Sequence, residues 1–178
     1  MLTNHEHPPS GWVRRFLPLI RRSGKVLDLA AGDGRHTRLL LDMGFQVTAV
    51  DGNVAPLLAL AGPHCAVHEI DLEGGAAWPL GDGYDAIVVT NYLHRPLFPA
   101  IREALAAGGV LIYETFAMGN ERLGRPSNPD FLLRPGELLE AFAGLTVIAF
   151  EQGEVTDPRP AVIQRIAAIN GALGRLPA

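Results

Sequence analysis

The chain has 178 residues, of which 48% are hydrophobic and 19% charged, a composition that excludes a disordered protein and suits one folded domain. The formal net charge of −4 gives no general attraction to phosphate backbones, so nucleic acid is not an expected partner. Cys65 is the only cysteine, so no internal disulfide can form, and a reducing, cytoplasmic location is expected.

Short apolar runs alternate with helical stretches along most of the chain, the pattern of a parallel sheet with crossover helices. A first helix is predicted over about residues 10–22, with Pro18 kinking it or ending it early. The next predicted elements are a strand over 25–29, a Gly-rich turn, a helix over 35–43 closed by Gly44, a strand over 46–50, a helix over 54–61 and a weak strand over 65–70.

The second half begins with an exposed, turn-rich segment over 74–83 and continues the alternation. Residues 117–134 are rich in Gly and Pro with little periodicity, which predicts a long functional loop. The other predicted elements are strands over 84–90 and 110–115, helices over 97–107 and 137–142, and an antiparallel strand pair over 145–151 and 161–168 at the sheet edge. The fold class is therefore α/β, with a doubly wound, Rossmann-like, mostly parallel sheet.

The run from Val26 to Gly34, VLDLAAGDG, is the most informative segment. A strand enters a turn whose glycines, Gly32 and Gly34, lie two apart, and a helix follows. Glycine permits unusual backbone dihedrals and close approach of a ligand. Ligands of open parallel sheets bind at the carboxyl ends of the strands, so this turn predicts a small-molecule site.

Two residues favour one ligand class over another. The dinucleotide fingerprint needs a small third residue in the helix that follows the turn, and Thr37 stands there. The carboxylate of Asp28 would repel a pyrophosphate and suits a ligand with a cationic end. S-adenosyl-L-methionine, with a sulfonium and an ammonium group, fits better than NAD, although an NAD-dependent reductase stays an alternative.

Further carboxylates end the next two predicted strands. Asp51 can accept hydrogen bonds from both ribose hydroxyls of an adenosine, each worth about 1.5–3 kcal/mol, and Asp71 can accept one from an adenine amino group. Each acid alone could instead be a helix N-cap or lie in a solvated turn. Their position at the ends of successive strands, after Asp28 on the first, favours a ligand site.

Over residues 12–168 the sequence resembles the class I S-adenosylmethionine-dependent methyltransferases. Their motif acid-x-Gly-x-Gly-x-Gly matches 28–34, with Ala30 in place of the first glycine. The phrase LDLAAGDGRHTRLL is similar to the small tellurite-resistance and thiol-type methyltransferases. The resemblance implies a seven-stranded sheet with a reversed last strand. It also implies cofactor contacts from Asp28, Ala30, Gly32, Gly34, Asp51, Gly52, Asp71, Leu72, Asn91 and Tyr92.

Three residues are candidates for the acceptor side. His94 follows a buried strand and could act as a general base. Tyr113 and Glu114 lie at the end of the next strand and are expected to open on the same crevice. The predicted loop would form a lid over the acceptor. Surface solvation is favoured over ligand contact for Arg35 and His36, and likewise for Arg122, Arg125, Asn128 and Arg134.

These observations predict methyl transfer to a small-molecule acceptor by in-line displacement. A non-catalytic S-adenosylmethionine-binding sensor or partner subunit is the alternative from another class. No metal is predicted, because His64 and His68 lack further ligands in a suitable pattern. One domain over 1–178 with a mobile terminus at about 1–9, no membrane partner and a monomer or homodimer complete the prediction.

Overall fold

The computed structural model of the protein describes residues 8–75 and 77–172. Most of the predicted mobile terminus, including His5 and His7, lies outside these ranges, whereas Pro8 and Pro9 are placed beside the first helix. Across the described ranges, no helix is long and apolar enough to cross a membrane.

Seven strands form one sheet in the order β3-β2-β1-β4-β5-β7-β6. Strands β1 to β5 run parallel, and β7 is antiparallel to both β5 and β6, which confirms the predicted α/β fold with its reversed C-terminal pair. The strands are β1 (Lys25–Leu29), β2 (Gln46–Asp51), β3 (Cys65–Glu69), β4 (Tyr84–Thr90), β5 (Leu105–Phe116), β6 (Thr146–Val155) and β7 (Ala161–Ile169).

Four α-helices cover the two faces of this sheet: α1 (Gly11–Phe16), α2 (Arg35–Asp42), α3 (Phe98–Ala104) and α4 (Glu137–Ala141). Side chains alternate between the faces along each strand, so each face carries its own apolar layer. One layer holds α1 and α2 with Trp12, Phe16, Leu40, Val88 and Ile112. The other holds α3 and α4 with Phe98, Leu138, Phe142, Ile87 and Leu111.

The first helix is shorter than the prediction for a local reason. Ser10 begins α1 by accepting hydrogen bonds from the backbone N–H groups of Trp12 and Val13. The α-helix ends at Phe16, and a 3₁₀ turn over Leu17–Leu19 contains Pro18. Proline has no N–H to continue the helical ladder, so the predicted early stop is confirmed.

The predicted helix over 54–61 is wrong. Only a 3₁₀ turn over Leu58–Leu60 forms, held by i→i+3 bonds such as Leu60 N–H to the Leu57 carbonyl at 2.8 Å. Gly62 and Pro63 follow at once. A segment this short gains too few hydrogen bonds to offset the entropy of helix nucleation.

The predicted helix over 97–107 ends early, at Ala104, and the following strand begins at Leu105 rather than at 110. Asn170 causes this difference, because its side-chain amide donates to the carbonyls of Leu105 and Ala106, both at 3.1 Å. Its own carbonyl accepts from Gly108 N–H at 2.7 Å. These partners lie more than sixty residues away in sequence, so no local pattern reports them.

Candidate cofactor and acceptor site

The turn after β1 uses its two glycines for different purposes. Gly32 has φ +58°, and a Cβ atom added to it would meet no atom within 4 Å, so its backbone faces open space. Gly34 has φ +81°, and a Cβ there would lie 2.8 Å from Leu57 and 2.9 Å from Leu60. The first glycine therefore leaves room for a ligand, and the second allows close packing.

Ala30 opens the same turn with φ +55°. This left-handed conformation disfavours any residue with a Cβ atom. It explains why the methyltransferase motif that the sequence resembles has glycine at this point. The turn keeps its shape in this chain with a side chain in a strained position.

Asp51 ends β2 beside this turn and is half-buried. Its Oδ2 accepts a hydrogen bond from Gly32 N–H at 2.8 Å, and its Oδ1 accepts one from Asn53 N–H at 3.0 Å. The two backbone donors orient the carboxylate at the carboxyl edge of the sheet, with Gly52 next to it. Each oxygen retains a second lone pair for a ligand hydroxyl.

Asp71 follows β3 and is exposed, and its Oδ1 accepts from Glu73 N–H at 3.0 Å. Leu72 packs partly against the apolar layer of α3 and α4. A polar acceptor and an apolar wall thus lie next to each other, as an adenine ring requires.

Tyr92 connects these acids with the end of β4. Its hydroxyl oxygen is buried and forms no hydrogen bond of regular geometry with another described residue, although the Glu73 carboxylate lies close enough to affect it. Burial raises the pKa of Tyr92, and the carboxylates of Glu73 and Asp71 raise it further. Asn91, just before it, adopts φ +54°. A buried hydroxyl without a partner is costly, and a bound ligand with a polar group here would supply the partner.

Asp28 is buried at the end of β1 with 1% exposure. Its Oδ2 accepts a 2.6 Å hydrogen bond from the Thr37 hydroxyl. Burial raises its pKa to about 7, against the opposing effects of the Thr37 hydrogen bonds and of Arg35. The expected full negative charge is therefore corrected to a partial one at neutral pH. A cationic group nearby would favour the ionised form.

His36 was expected on a solvated helix surface, and this is wrong, because its exposure is 1%. Its Nε2 accepts from Ser10 N–H at 3.0 Å, and its Nδ1 lies 3.3 Å from the Thr90 hydroxyl. His36 lies four residues before the buried Leu40, so both are on the same face of α2. This spacing is the sequence feature that indicates the burial of His36. Burial lowers the pKa of His36 to about 4, so the ring is neutral near pH 7.

Tyr113 and Glu114 lie on opposite faces of the sheet, which corrects the expectation that they share a crevice. Tyr113 is 1% exposed in the α3 and α4 layer, and its hydroxyl donates to the Tyr92 carbonyl at 2.8 Å. Glu114 accepts from the Ser10 hydroxyl at 2.8 Å and from Arg165 at 3.0 Å. Successive residues of a strand point to opposite faces.

His94 is half-buried and precedes a 3₁₀ turn over Arg95–Leu97, whose Leu97 N–H donates to the His94 carbonyl. Its imidazole makes no hydrogen bond to another described residue. Tyr113 and Glu114 both have side-chain partners. Among the three acceptor-side candidates, His94 thus retains ring nitrogens available to a substrate.

Residues 117–134 form a wall with fixed contacts, which differs from the predicted lid. Asn120 is buried and bonds to the Pro126 carbonyl at 2.9 Å and to Val162 N–H at 3.1 Å. Arg95 donates to the carbonyls of Asp130 and Leu132 and pairs with Glu137 at 2.6 Å. The four polar residues considered on the loop are exposed, as the sequence predicts, and make the following contacts: Arg122 pairs with Glu154, Arg134 pairs with Glu137 and Glu140, the Asn128 side chain accepts from Asp130 N–H, and the backbone carbonyl of Arg125 accepts from Arg159.

The two histidines considered as metal ligands lie in or beside β3. His64 Nδ1 is 2.7 Å from the side-chain nitrogen of Gln46, and His68 is exposed. Within 8–75 and 77–172, no group of three or more His, Cys, Asp or Glu side chains could hold a metal ion.

The strand order, the reversed last strand and the Gly-rich turn that ends β1 define a class I S-adenosylmethionine-dependent methyltransferase. A family model described as a methyltransferase domain matches residues 1–134. The chain belongs to this methyltransferase family.

Similar proteins differ in what they methylate. TehB from Haemophilus influenzae superposes with a TM-score of 0.67 at 21% identity, covering 82% of this chain and 57% of that one. The glycopeptide N-methyltransferase MtfA, complexed with S-adenosyl-L-homocysteine, gives 0.64 at 22% identity over 92% and 90% of the two chains. A protein-L-isoaspartate O-methyltransferase from Chlorobaculum tepidum is 30% identical over 106 residues, 57% of this chain. The chain spans about half (49%) of the length of that curated relative. The two solved structures are 21% and 22% identical to this chain, and their similarity shows the fold alone.

Proposed function

We propose that this chain, as a single domain, transfers a methyl group from S-adenosyl-L-methionine to a small-molecule acceptor. One observation carries the proposal. The carboxyl edge of the sheet combines the open space at Gly32, the oriented carboxylate of Asp51 and the buried hydroxyl of Tyr92, which forms no hydrogen bond of regular geometry with another described residue. The binding of S-adenosyl-L-methionine by MtfA, which has the same fold at 22% identity, supports the choice of cofactor.

Each cofactor residue has an assigned role in this proposal. Asp51 and Gly52 bind the ribose, Asp71 and Leu72 bind the adenine, and the backbone of Ala30, Gly32 and Gly34 follows the ligand. Asn91, Tyr92 and Asp28 surround the methionine end, where the partial charge of Asp28 suits a cationic group. When bound, the cofactor would supply an activated methyl group: the acceptor would form a bond to the methyl carbon in line with the C–S bond, which breaks and leaves its electron pair on the sulfur of S-adenosyl-L-homocysteine.

The protein contributes to this reaction by positioning the acceptor and moving a proton. Holding two reactants in line can lower a barrier by roughly 7–11 kcal/mol in favourable cases. The wall over 117–134 and the Arg95 contacts that anchor it would fix one side of the acceptor pocket. His94 would accept the proton of a hydroxyl or ammonium acceptor, and a thiolate would not need this step.

The remaining two candidates act through other groups in this proposal. The Tyr113 hydroxyl holds the Tyr92 carbonyl and so fixes the segment that lines the methyl group. Glu114 binds Ser10 and Arg165 and so holds the start of α1 against the sheet. We propose both as positioning residues, and His94 as the catalytic residue.

The test begins with calorimetry of S-adenosyl-L-methionine, S-adenosyl-L-homocysteine and NADH on the wild type and on Asp51→Ala. We expect the first two ligands to bind and to lose at least about tenfold in affinity in the variant, because a charge-assisted bond is worth about 1.5–3 kcal/mol. Asp42→Asn, an exposed acid on α2, is the matched control. Saturable NADH binding would overturn the proposal.

Turnover then separates an enzyme from a binding protein. Labelled methyl groups are followed from S-adenosyl-L-methionine to a panel of thiol, hydroxyl and amine acceptors, with mass spectrometry of the products. Product formation with a small acceptor supports the proposal. Tight cofactor binding without turnover on any acceptor would instead support the non-catalytic alternative.

A further inference from the structure

Apart from the crevice at the sheet edge, a cavity with a volume of about 270 Å³ lies between the start of α1 and the outer side of α2. Three arginines from the two helices line it: Arg14, Arg35 and Arg38. None of the residues assigned above to the cofactor lines this cavity. Its function is therefore a separate question from that of the crevice at the sheet edge.

The guanidinium groups that have partners here bind neutral carbonyls. Arg38 Nη1 donates to the Asp33 carbonyl at 2.8 Å, and Arg35 Nη1 donates to the Pro8 carbonyl at 3.4 Å. These contacts orient the side chains without neutralising their charge. Among the described residues, the other N–H donors of these guanidinium groups have no hydrogen-bond partner.

Two acids, Asp33 and Asp42, also line the cavity. Among the described residues, neither forms an ion pair with the three arginines. Three positive and two negative side chains leave a net charge of +1 on the described part of the lining. The arginines keep the cavity positive although the whole chain is negative.

The neighbouring ring of His36 shows the same positive potential. Burial is the main reason that its pKa is lowered to about 4, and Arg35 and Arg14 lower it further, whereas Asp33 opposes them. Two of the three cavity arginines therefore act on a group that they do not bind directly.

We propose that this cavity binds a phosphate group, either free or as the ester group of a larger molecule. The planar guanidinium fork matches the oxygens of phosphate and binds them in pairs. A dianion suits a lining with three arginines better than a monoanionic carboxylate does. The cavity also exceeds the size of one phosphate ion, which leaves room for an ester substituent.

Backbone amide NMR of the full chain tests this proposal, with sodium phosphate, methyl phosphate or acetate added at constant ionic strength. We expect saturable shifts confined to residues 8–14 and 33–42, with phosphate binding more tightly than acetate. Similar affinities for phosphate and methyl phosphate would identify a site for phosphate esters. Binding of phosphate alone would identify a site for the free ion.

Variants that change the charge of the lining test whether phosphate affinity depends on that charge in the expected direction. Arg14→Gln should weaken phosphate binding about threefold, within the roughly fivefold limit that corresponds to about 1 kcal/mol for an exposed charge. Asp42→Asn should tighten it by a similar factor. Arg102→Gln, which removes an exposed arginine from α3 on the opposite face, should leave the affinity unchanged.

Several results would overturn the proposal. These are shifts that do not saturate, shifts spread over the whole surface, or equal affinities in the Arg14 and Asp42 variants. An effect of Arg102→Gln as large as that of Arg14→Gln would also do so, because it would show a response to net charge alone. None of these readouts depends on cofactor binding or turnover, so this proposal and the proposed function can fail independently.

Discussion

The hydroxyl of Thr37, in the first turn of α2, donates a 2.6 Å hydrogen bond to Oδ2 of Asp28 at the end of β1. Both residues are buried, at 0% and 1% exposure. A dinucleotide-binding fold needs a small residue at this position of the helix. In this protein the position is occupied by Thr37, whose side chain binds the buried acid. This contact joins the first helix after the turn to the central strand of the site.

Thr37→Val should therefore lower the free energy of unfolding by about 1–3 kcal/mol, the range for leaving a buried polar partner unsatisfied. The loss should be larger at pH 8 than at pH 5, because a hydroxyl donor favours the ionised form of Asp28. Urea unfolding at both pH values measures it. Thr37→Ser retains the hydroxyl and serves as control, so an equal loss in both variants would assign the effect to packing.

Asp28 should also give the protein a distinctive pH dependence. Its pKa is raised from 3.8 to about 7 on folding. Its stabilising contribution is therefore complete below pH 4 and is lost as the pH rises towards and through 7. Wild type minus Asp28→Asn should show a falling free energy of unfolding over that window.

Urea unfolding from pH 4 to 8 measures this difference. Asp85→Asn is the control, because a hydrogen bond from Arg21 lowers the pKa of Asp85, so its difference from wild type should stay constant over this pH window. The contribution of Asp85 is present above its unfolded pKa and is lost as the pH falls. A pH-independent difference for Asp28→Asn would show that Asp28 is ionised in the fold.

Ala30→Gly should stabilise the protein by about 0.5–1 kcal/mol. The left-handed conformation costs a residue with a Cβ atom about 1–2 kcal/mol, and glycine loses about 0.5–1 kcal/mol through backbone entropy. Thermal unfolding measures the change, and Ala31→Gly, at a buried neighbour without a positive φ, should destabilise. A lower melting temperature for Ala30→Gly would contradict the strain assigned to this turn.

Tyr92→Phe should have opposite effects on the two states of the protein. Without ligand, removing a buried hydroxyl that lacks a partner should raise the free energy of unfolding, since burial of such a group costs about 1–3 kcal/mol. With S-adenosyl-L-methionine, the affinity should fall, because the hydroxyl is proposed to bind the ligand. Calorimetry and urea unfolding test the two effects.

Tyr113→Phe is the matched control, because its hydroxyl already has a partner in the Tyr92 carbonyl. That variant should lose stability. A Tyr92→Phe variant that binds S-adenosyl-L-methionine as tightly as wild type would remove the hydroxyl from the cofactor site. A loss of stability would indicate that it has a partner in the free protein.

His94→Ala should lower turnover on a hydroxyl or amine acceptor more than it lowers cofactor affinity, because proton transfer takes place in the transition state. General base catalysis contributes typically 10²–10⁴-fold, so a loss of about that size is expected. The pH dependence of kcat/KM should flatten in the variant. An equal loss in cofactor affinity would instead make His94 a cofactor contact or a structural residue.

The order of the strands along the chain and the position of the Gly-rich turn could be predicted from the sequence. Strands β1 and β4 have the predicted bounds, and β2 differs from its prediction by one residue. These strands are mostly apolar because both faces of a central parallel strand are buried. The turn at Gly32 and Gly34 could also be predicted, because the positive φ that it requires is accessible to glycine whatever its neighbours are.

The tertiary structure decided what depends on distant partners. Ser10 binds Glu114 across 104 residues of sequence, and Asn170 binds Leu105 across 65. Because Glu114 binds Ser10, its side chain lies at the start of α1. Because Asn170 binds the Leu105 carbonyl, the chain leaves the helix after Ala104. The burial of His36 next to Ser10 and the raised pKa of Asp28 likewise depend on groups that are distant in sequence and that folding brings together. Local periodicity predicts where a strand or helix forms, but the environment of a charged or polar side chain is set by the groups that folding brings next to it.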